Sequence, residues 1–143
     1  MLGGYDTVVF DCDGVILDSN KVKTEAFRTA ALSYGDAAAG ALVAHHVANG
    51  GVSRYAKFAH FLDAIVPGRD GPGLDALLAA YAGAVQEGLR ACRVAPGLAG
   101  LRAARPDQRW LIVSGGDQAE LRALFAERDL AAMFERHGLP FAP

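Results

Sequence analysis

The apolar positions of this 143-residue chain follow two patterns, one typical of buried strands and one typical of helices. Two short runs rich in β-branched and aromatic residues, 5–10 and 110–113, are expected to be buried strands. Apolar residues recur at helical spacing elsewhere. The helices are expected at 20–34, 37–49, 54–66, 74–92, 98–105 and 118–127. This order predicts an α/β fold with a parallel-sheet core and an inserted bundle of four helices.

Small polar residues stand where several of these helices are expected to begin. Ser19 or Asn20 is expected to cap the first helix, Ser53 the third and Asp117 the last. Such side chains accept hydrogen bonds from the unpaired amides of a first helical turn.

The first expected strand ends in two carboxylates, Asp11 and Asp13, and Gly14 then breaks the strand. Residues i and i+2 of a strand point to one side, so both acids emerge together where ligands bind in open α/β sheets. One carboxylate can attack an electrophile and the other can move a proton. Their mutual repulsion needs a cation, and such an oxygen-rich site suits Mg²⁺. A bare Asp-x-Asp is more often a solvated turn, but the apolar strand before it favours a site.

The second expected strand ends in Ser114, Gly115 and Gly116, just before a helix. A hydroxyl and free amides at a helix N-terminus can hold a phosphate oxygen. Taken alone, the segment is weak evidence for such a site, and the alternative is a plain glycine-rich turn between strand and helix.

Composition and charge exclude several classes of protein. The net charge is −2, and no basic patch of the nucleic-acid-binding type is present. No apolar run reaches about 18 residues and no secretory leader is recognisable, so neither nucleic acid nor a membrane is an expected partner, and we expect a soluble, cytoplasmic protein. The two cysteines, Cys12 and Cys92, form no disulfide framework or metal-binding spacing. The histidines beside apolar residues are expected to be ordinary packing or surface residues; they are His45, His46 and His60.

The segment from Asp11 to Ser19 resembles the first motif of the haloacid dehalogenase (HAD) superfamily, in its phosphatase branch. Residues 113–121 resemble the second motif of its phosphoglycolate phosphatase-like members. The resemblance implies that Asp11 is the nucleophile and a Mg²⁺ ligand. It implies that Asp13 is the general acid/base, with its backbone carbonyl also on the metal. Ser114 and the amide of Gly115 would hold the substrate phosphoryl group.

The resemblance also implies a division of the chain. Residues 1–18 and 94–143 would form an incomplete HAD-like core, and residues 19–93 an inserted helical cap, with hinges at both junctions. Arg54 and Lys57 lie three positions apart on one face of a cap helix and would meet an anionic substrate. The alternative is a solvated cationic face.

Two further motifs of the superfamily, a lysine and a later strand followed by an acidic pair, have no counterpart in this sequence. No lysine follows Lys57, and no strand with an acidic pair follows Ser114. The resemblance therefore covers only about the first two-thirds of the family's catalytic domain. We expect weak Mg²⁺ binding and a bare apolar sheet edge, which a second copy of the chain or a missing C-terminal segment would cover. A truncated gene product, a fragment and one piece of a split assembly all stay open.

The expected function is Mg²⁺-dependent hydrolysis of a small phosphorylated metabolite through an aspartyl-phosphate at Asp11. Asp13 favours phosphate esters because, within the superfamily, dehalogenases lack an acid at that position and phosphonate hydrolases carry alanine. A phosphomutase of the β-phosphoglucomutase kind is an alternative with the same first motif. A non-catalytic HAD remnant is the alternative from a different class. Dinucleotide binding is disfavoured because no G-x-G-x-x-G follows either strand.

Overall fold

The two apolar runs of the sequence form adjacent parallel strands in the computed structural model, which describes residues 4–135 and 141–142. Strand β1 covers Thr7–Asp11 and β2 covers Arg109–Val113. A third strand, β3 at Phe141–Ala142, pairs in parallel with β2, so the sheet order is β1-β2-β3. The α/β class with a parallel sheet is thus confirmed. Strand β3 was not predicted, because a two-residue strand between prolines gives no alternating pattern.

Three helices belong to the same part of the chain as the sheet. They are α5 (Leu98–Ala104), α6 (Gln118–Glu127) and α7 (Ala132–Glu135). Asp117 is the N-cap residue of α6, as predicted, but its carboxylate makes no capping hydrogen bond to that helix. The expectation of a side-chain cap there was therefore wrong.

The two faces of the sheet differ in burial. On one face Trp110 and Ile112 are buried, and the ring of Trp110 lies 4.8 Å from that of Phe10. Alternate residues point to the opposite face, where Val9 is 56 % exposed and Val113 is 47 % exposed. The apolar core of the α/β part therefore lies on one side of the sheet.

The inserted segment folds into four helices, as the periodicity predicted. Their bounds are α1 Asn20–Ala31, α2 Asp36–Ala48, α3 Arg54–His60 and α4 Leu74–Ala91. A 3₁₀ turn at Leu32–Tyr34 follows α1, and a π-helical turn at Phe61–Ile65 continues α3. Helix α1 packs against both α2 and α4 around a core that includes the rings of Phe27, Phe58 and Tyr81. Ser53 caps α3 as expected, since its hydroxyl accepts a hydrogen bond from the Ala56 amide.

Contacts divide the chain into two units. The α/β unit comprises Met1–Ser19 and Cys92–Pro143, and the helical unit comprises Asn20–Ala91. That the helical unit acts as a cap stays a prediction. No helix in residues 4–135 and 141–142 is long and apolar enough to cross a membrane.

Candidate active site

The chain turns back on itself directly after β1, which ends at Asp11. The carbonyl of Cys12 accepts hydrogen bonds from the amides of Ile16 and Leu17, each at 3.0 Å. The amide of Gly14 returns a bond to the Leu17 carbonyl at 2.8 Å. Gly14 has φ of 76°, in the left-handed region that a residue with a Cβ adopts at a cost. The segment after the strand is therefore a well-bonded turn rather than a loose loop.

Asp13 lies in this turn, and its carboxylate is held by Ser19. The Ser19 hydroxyl donates to Asp13 Oδ1 at 2.7 Å, and Ser19 itself is fully buried. The sequence suggested Ser19 or Asn20 as the helix cap, but the Ser19 hydroxyl is directed to the carboxylate instead. Ser19 is thus a site residue that the sequence reasoning missed, although it closes the motif segment that begins at Asp11.

The two segments that join the units pair with each other beside the turn. The Asp18 amide donates to the Arg93 carbonyl and the Ala95 amide donates to the Ile16 carbonyl, both at 2.8 Å. These bonds anchor the backbone that carries Asp13 to the α/β unit. The expected hinges at these junctions stay predictions.

Ser114 comes to the same edge of the sheet as the two acids. The strand register places Asp11 beside Val113, so Ser114 follows at the adjacent strand end. The Ser114 Oγ accepts a hydrogen bond from the Gly116 amide at 3.1 Å. An oxygen that accepts this bond keeps its own proton to donate. Ser114 and Asp11 therefore lie at the same edge of the sheet, and Asp13 follows Asp11 in the turn.

The oxygen atoms at this edge fit the chemistry of Mg²⁺. Asp11 is exposed, and carboxylate and carbonyl oxygens are the ligands that Mg²⁺ prefers. Within the described residues no group of three or more His, Cys, Asp or Glu side chains is placed to hold a metal ion. Mg²⁺ usually keeps several waters and takes only one or two carboxylates together with substrate phosphates, so a site with few protein ligands is chemically consistent.

The two cationic candidates of the helical unit, Arg54 and Lys57, both lie on a group of aromatic rings. The Arg54 guanidinium is 4.7 Å from the centre of the Tyr81 ring. The Lys57 ammonium is 5.4 Å from the centre of the Phe27 ring, and the Phe27 and Tyr81 rings are 4.4 Å apart. Lys57 is only 3 % exposed, so the alternative of a solvated cationic face does not apply to it.

One histidine of the helical unit contacts Lys57, and two others stack on each other. The Lys57 Nζ is 2.9 Å from His46 Nδ1, and the rings of His45 and His60 stack at 3.9 Å. Burial, followed by Lys57, Lys23 and His45, lowers the pKa of His46 to about 4. Burial and then Lys23 also lower the pKa of Lys57. Sequence reasoning missed this cluster, because each histidine alone had an ordinary packing explanation.

A protein-family model matches most of this chain. The model for haloacid dehalogenase-like hydrolases matches residues 5–138. This chain belongs to the HAD-like hydrolase family. The match takes in Asp11 at the end of β1, Asp13 in the turn after it, and Ser114 after β2. No curated protein is significantly similar to the chain in sequence.

Several solved structures share the fold of the chain. A candidate beta-phosphoglucomutase from Thermotoga maritima is 17 % identical, with a TM-score of 0.65 over 96 % of this chain and 61 % of its own. The candidate HAD-hydrolase YfnB from Bacillus subtilis, bound to magnesium, is 17 % identical, with a TM-score of 0.65 over 92 % and 63 %. CbbY from Rhodobacter sphaeroides, in complex with phosphate, is 15 % identical, with a TM-score of 0.62 over 91 % and 61 %. The chain therefore spans about three fifths of the length of these structures.

Proposed function

We propose that this HAD-family chain carries the nucleophile of a Mg²⁺-dependent phosphomonoester hydrolase that acts on a small phosphorylated metabolite. One observation supports the proposal above the others. Asp13, which lies two residues after Asp11, accepts a hydrogen bond from the buried Ser19. Ser114 follows the adjacent strand at the same edge of the sheet as Asp11. This arrangement supplies a nucleophile, a proton donor and a phosphate-binding hydroxyl at one place. A cytoplasmic location is part of the same proposal.

The chemistry divides between the two acids. Asp11 attacks the phosphorus atom and forms an aspartyl-phosphate, while Asp13 gives a proton to the departing alcohol oxygen. Asp13 then takes a proton from the water that attacks the phosphorus, which releases inorganic phosphate and restores Asp11. The Ser114 hydroxyl and the Gly115 amide donate hydrogen bonds to the phosphoryl oxygens during both steps.

The Asp11 carboxylate and the Asp13 backbone carbonyl would hold the Mg²⁺ ion. When bound, Mg²⁺ offsets the negative charge of the two acids and of the phosphate. The magnesium-bound and phosphate-bound neighbours support this choice of ion and substrate class by similarity of fold. The superfamily's lysine and second acidic pair have no counterpart that we identify in the sequence, so we propose weak Mg²⁺ binding. A second copy or a C-terminal segment over the outer edge of β1 likewise stays a prediction.

Phosphate release from a panel of small phosphate esters, with and without Mg²⁺, tests the proposal directly. Asp11→Asn should abolish Mg²⁺-dependent release. Asp107→Asn makes the same change at an exposed acid of the α/β unit and should leave release intact. Release that survives Asp11→Asn would refute the assigned nucleophile. No release from the unaltered chain would favour the non-catalytic alternative.

Phosphomutase activity is the second candidate function, because the fold of the chain is similar to that of the candidate beta-phosphoglucomutase. The two functions differ in the fate of the aspartyl-phosphate. A phosphatase passes it to water, whereas a phosphomutase passes it to a second hydroxyl of the substrate. Rapid hydrolysis of the phosphorylated chain would support the phosphatase, and slow hydrolysis with transfer to a sugar phosphate would support the phosphomutase.

A further inference from the structure

Lys57 is a buried ammonium with too few acceptors. An ammonium has three N–H donors, and one of them points to His46 Nδ1 at 2.9 Å. The Phe27 ring adds a cation–π contact at 5.4 Å. The face of the ring is not a lone-pair acceptor, so it does not replace a hydrogen bond for the remaining N–H groups. Among the residues that the structure describes, the ammonium has no further hydrogen-bond acceptor. Buried donors without acceptors are costly, and buried charges are normally paired.

The electrostatic neighbours of Lys57 and His46 are also basic. Lys23 from α1 acts on both residues, and His45 acts on His46. Each of these contributions lowers the pKa of a basic group, so it opposes the charged form. Three helices therefore bring basic groups together around one buried lysine, an arrangement that an anion would stabilise.

We propose that Lys57 and His46, together with the positive charge of Lys23, form a binding site in the helical unit for a small oxyanion, either a phosphate or a carboxylate group. The two remaining N–H donors of Lys57 would bind oxygens of the anion. The His46 Nδ1 accepts from Lys57, so the neutral ring carries its proton on Nε2, which is a further donor. His46 is only partly buried, so the cluster reaches the surface at that ring.

The anion site is built entirely within the helical unit and does not require phosphatase activity. If the proposed hydrolase function also holds, the anion is a charged group of its substrate, and only that extension rests on the proposed function. The two proposals therefore fail separately. Asp11→Asn should abolish phosphate release and leave anion binding at His46 unchanged.

Nitrogen NMR of the histidine rings in the full 143-residue chain tests the site, with inorganic phosphate as the probe at pH 7. The His46 ring nitrogens should shift saturably, whereas those of His60 should not. A parallel titration with acetate shows whether the site takes a carboxylate as well. The absence of a saturable shift at His46 in the unaltered chain with either ion would overturn the proposal, whatever any variant does.

Variants then assign the binding to Lys57. Lys57→Met should weaken phosphate binding at His46 by about tenfold or more, as expected for losing hydrogen bonds to a charged group. Lys57→Arg keeps a cation and should recover most of the affinity. His60→Gln alters a histidine of the same cluster that does not bond Lys57, so it should leave the affinity unchanged. Equal affinity in a folded Lys57→Met chain would contradict the assignment.

Discussion

The two polar clusters of this chain differ in how their charged groups are stabilised. The acidic turn, formed by Asp11, Asp13 and Ser19, gathers residues that are close in sequence at an exposed strand end. The basic cluster, formed by Lys57, His46 and Lys23, combines the contact of His46 with the buried Lys57 ammonium and the positive charge of Lys23 from a third helix. A charge at a strand end is stabilised by local hydrogen bonds and solvent, whereas a buried charge depends on the packing of distant segments. The acidic turn can therefore be predicted from the sequence, whereas the basic cluster is recognised only in the folded structure.

After Asp11→Asn, the largest expected effect is the loss of catalysis on substitution of Asp13 in the acidic turn. Asp13→Asn removes the proposed proton donor while leaving a side chain of similar shape. General acid–base catalysis contributes about 10²–10⁴-fold, so kcat for a phosphate ester with a poor leaving group should fall by that factor. Esters with good leaving groups should be less affected, because they need less protonation. Steady-state kinetics on both ester types measures the difference.

A matched control for Asp13→Asn is Asp6→Asn, at an exposed acid just before β1. This variant should keep the activity of the unaltered chain. An equal loss with good and poor leaving groups in Asp13→Asn would indicate a structural defect and would contradict the role of proton donor.

A smaller effect is expected at Ser19, where substitution tests whether this residue positions Asp13 or only stabilises the fold. Ser19→Ala removes the 2.7 Å hydrogen bond to Asp13, so kcat should fall by about tenfold while KM changes little. Ser53→Ala removes the cap of α3 and should lower the free energy of unfolding by about 1 kcal/mol without lowering kcat. Kinetics and urea unfolding on both variants provide the comparison. A Ser19→Ala variant that only loses stability would show that Ser19 does not position Asp13.

The strand pattern was enough to predict most of the α/β unit and the place of its site. Short apolar runs mark strand ends, so the two acids were expected at the end of the first strand and Ser114 at the end of the second. The structure ends β1 at Asp11 and β2 at Val113 and pairs these two residues. The role of Ser19 was missed because a serine before a helix has a commoner use as a cap. The basic cluster was missed because His46 and Lys57 lie on different helices, and periodicity does not show which faces meet.

The pH dependence of stability tests the basic cluster. Burial and the neighbouring cations lower the pKa of His46 to about 4 in the folded chain, from 6.5 when unfolded. The unfolded state thus binds the proton first as the pH falls, so the stabilisation is complete above pH 6.5 and is lost between about pH 6.5 and pH 4. For a partly exposed ring we expect a loss of about 2 kcal/mol.

Urea unfolding, followed by circular dichroism at several pH values, measures this dependence. His46→Gln should remove that part of the loss, since glutamine does not titrate. His60→Gln is the control in the same cluster and should keep the dependence of the unaltered chain. Identical pH profiles for the unaltered chain and His46→Gln would show that the histidine does not sense its basic neighbours.

The smallest expected effect concerns how closely α1, which carries Lys23, approaches α4. A Cβ added at Gly88 of α4 would overlap Val22 Cγ1 of α1, whereas a Cβ at Gly83 of the same helix would meet nothing within 4 Å. Gly83→Ala should raise the free energy of unfolding by about 0.5–1 kcal/mol, because alanine is the better helix former. Gly88→Ala should lower it by about 1 kcal/mol, since the overlap outweighs the same helical gain. A gain of stability in both variants would mean that α1 and α4 adjust at Val22 and Gly88 with little loss of free energy.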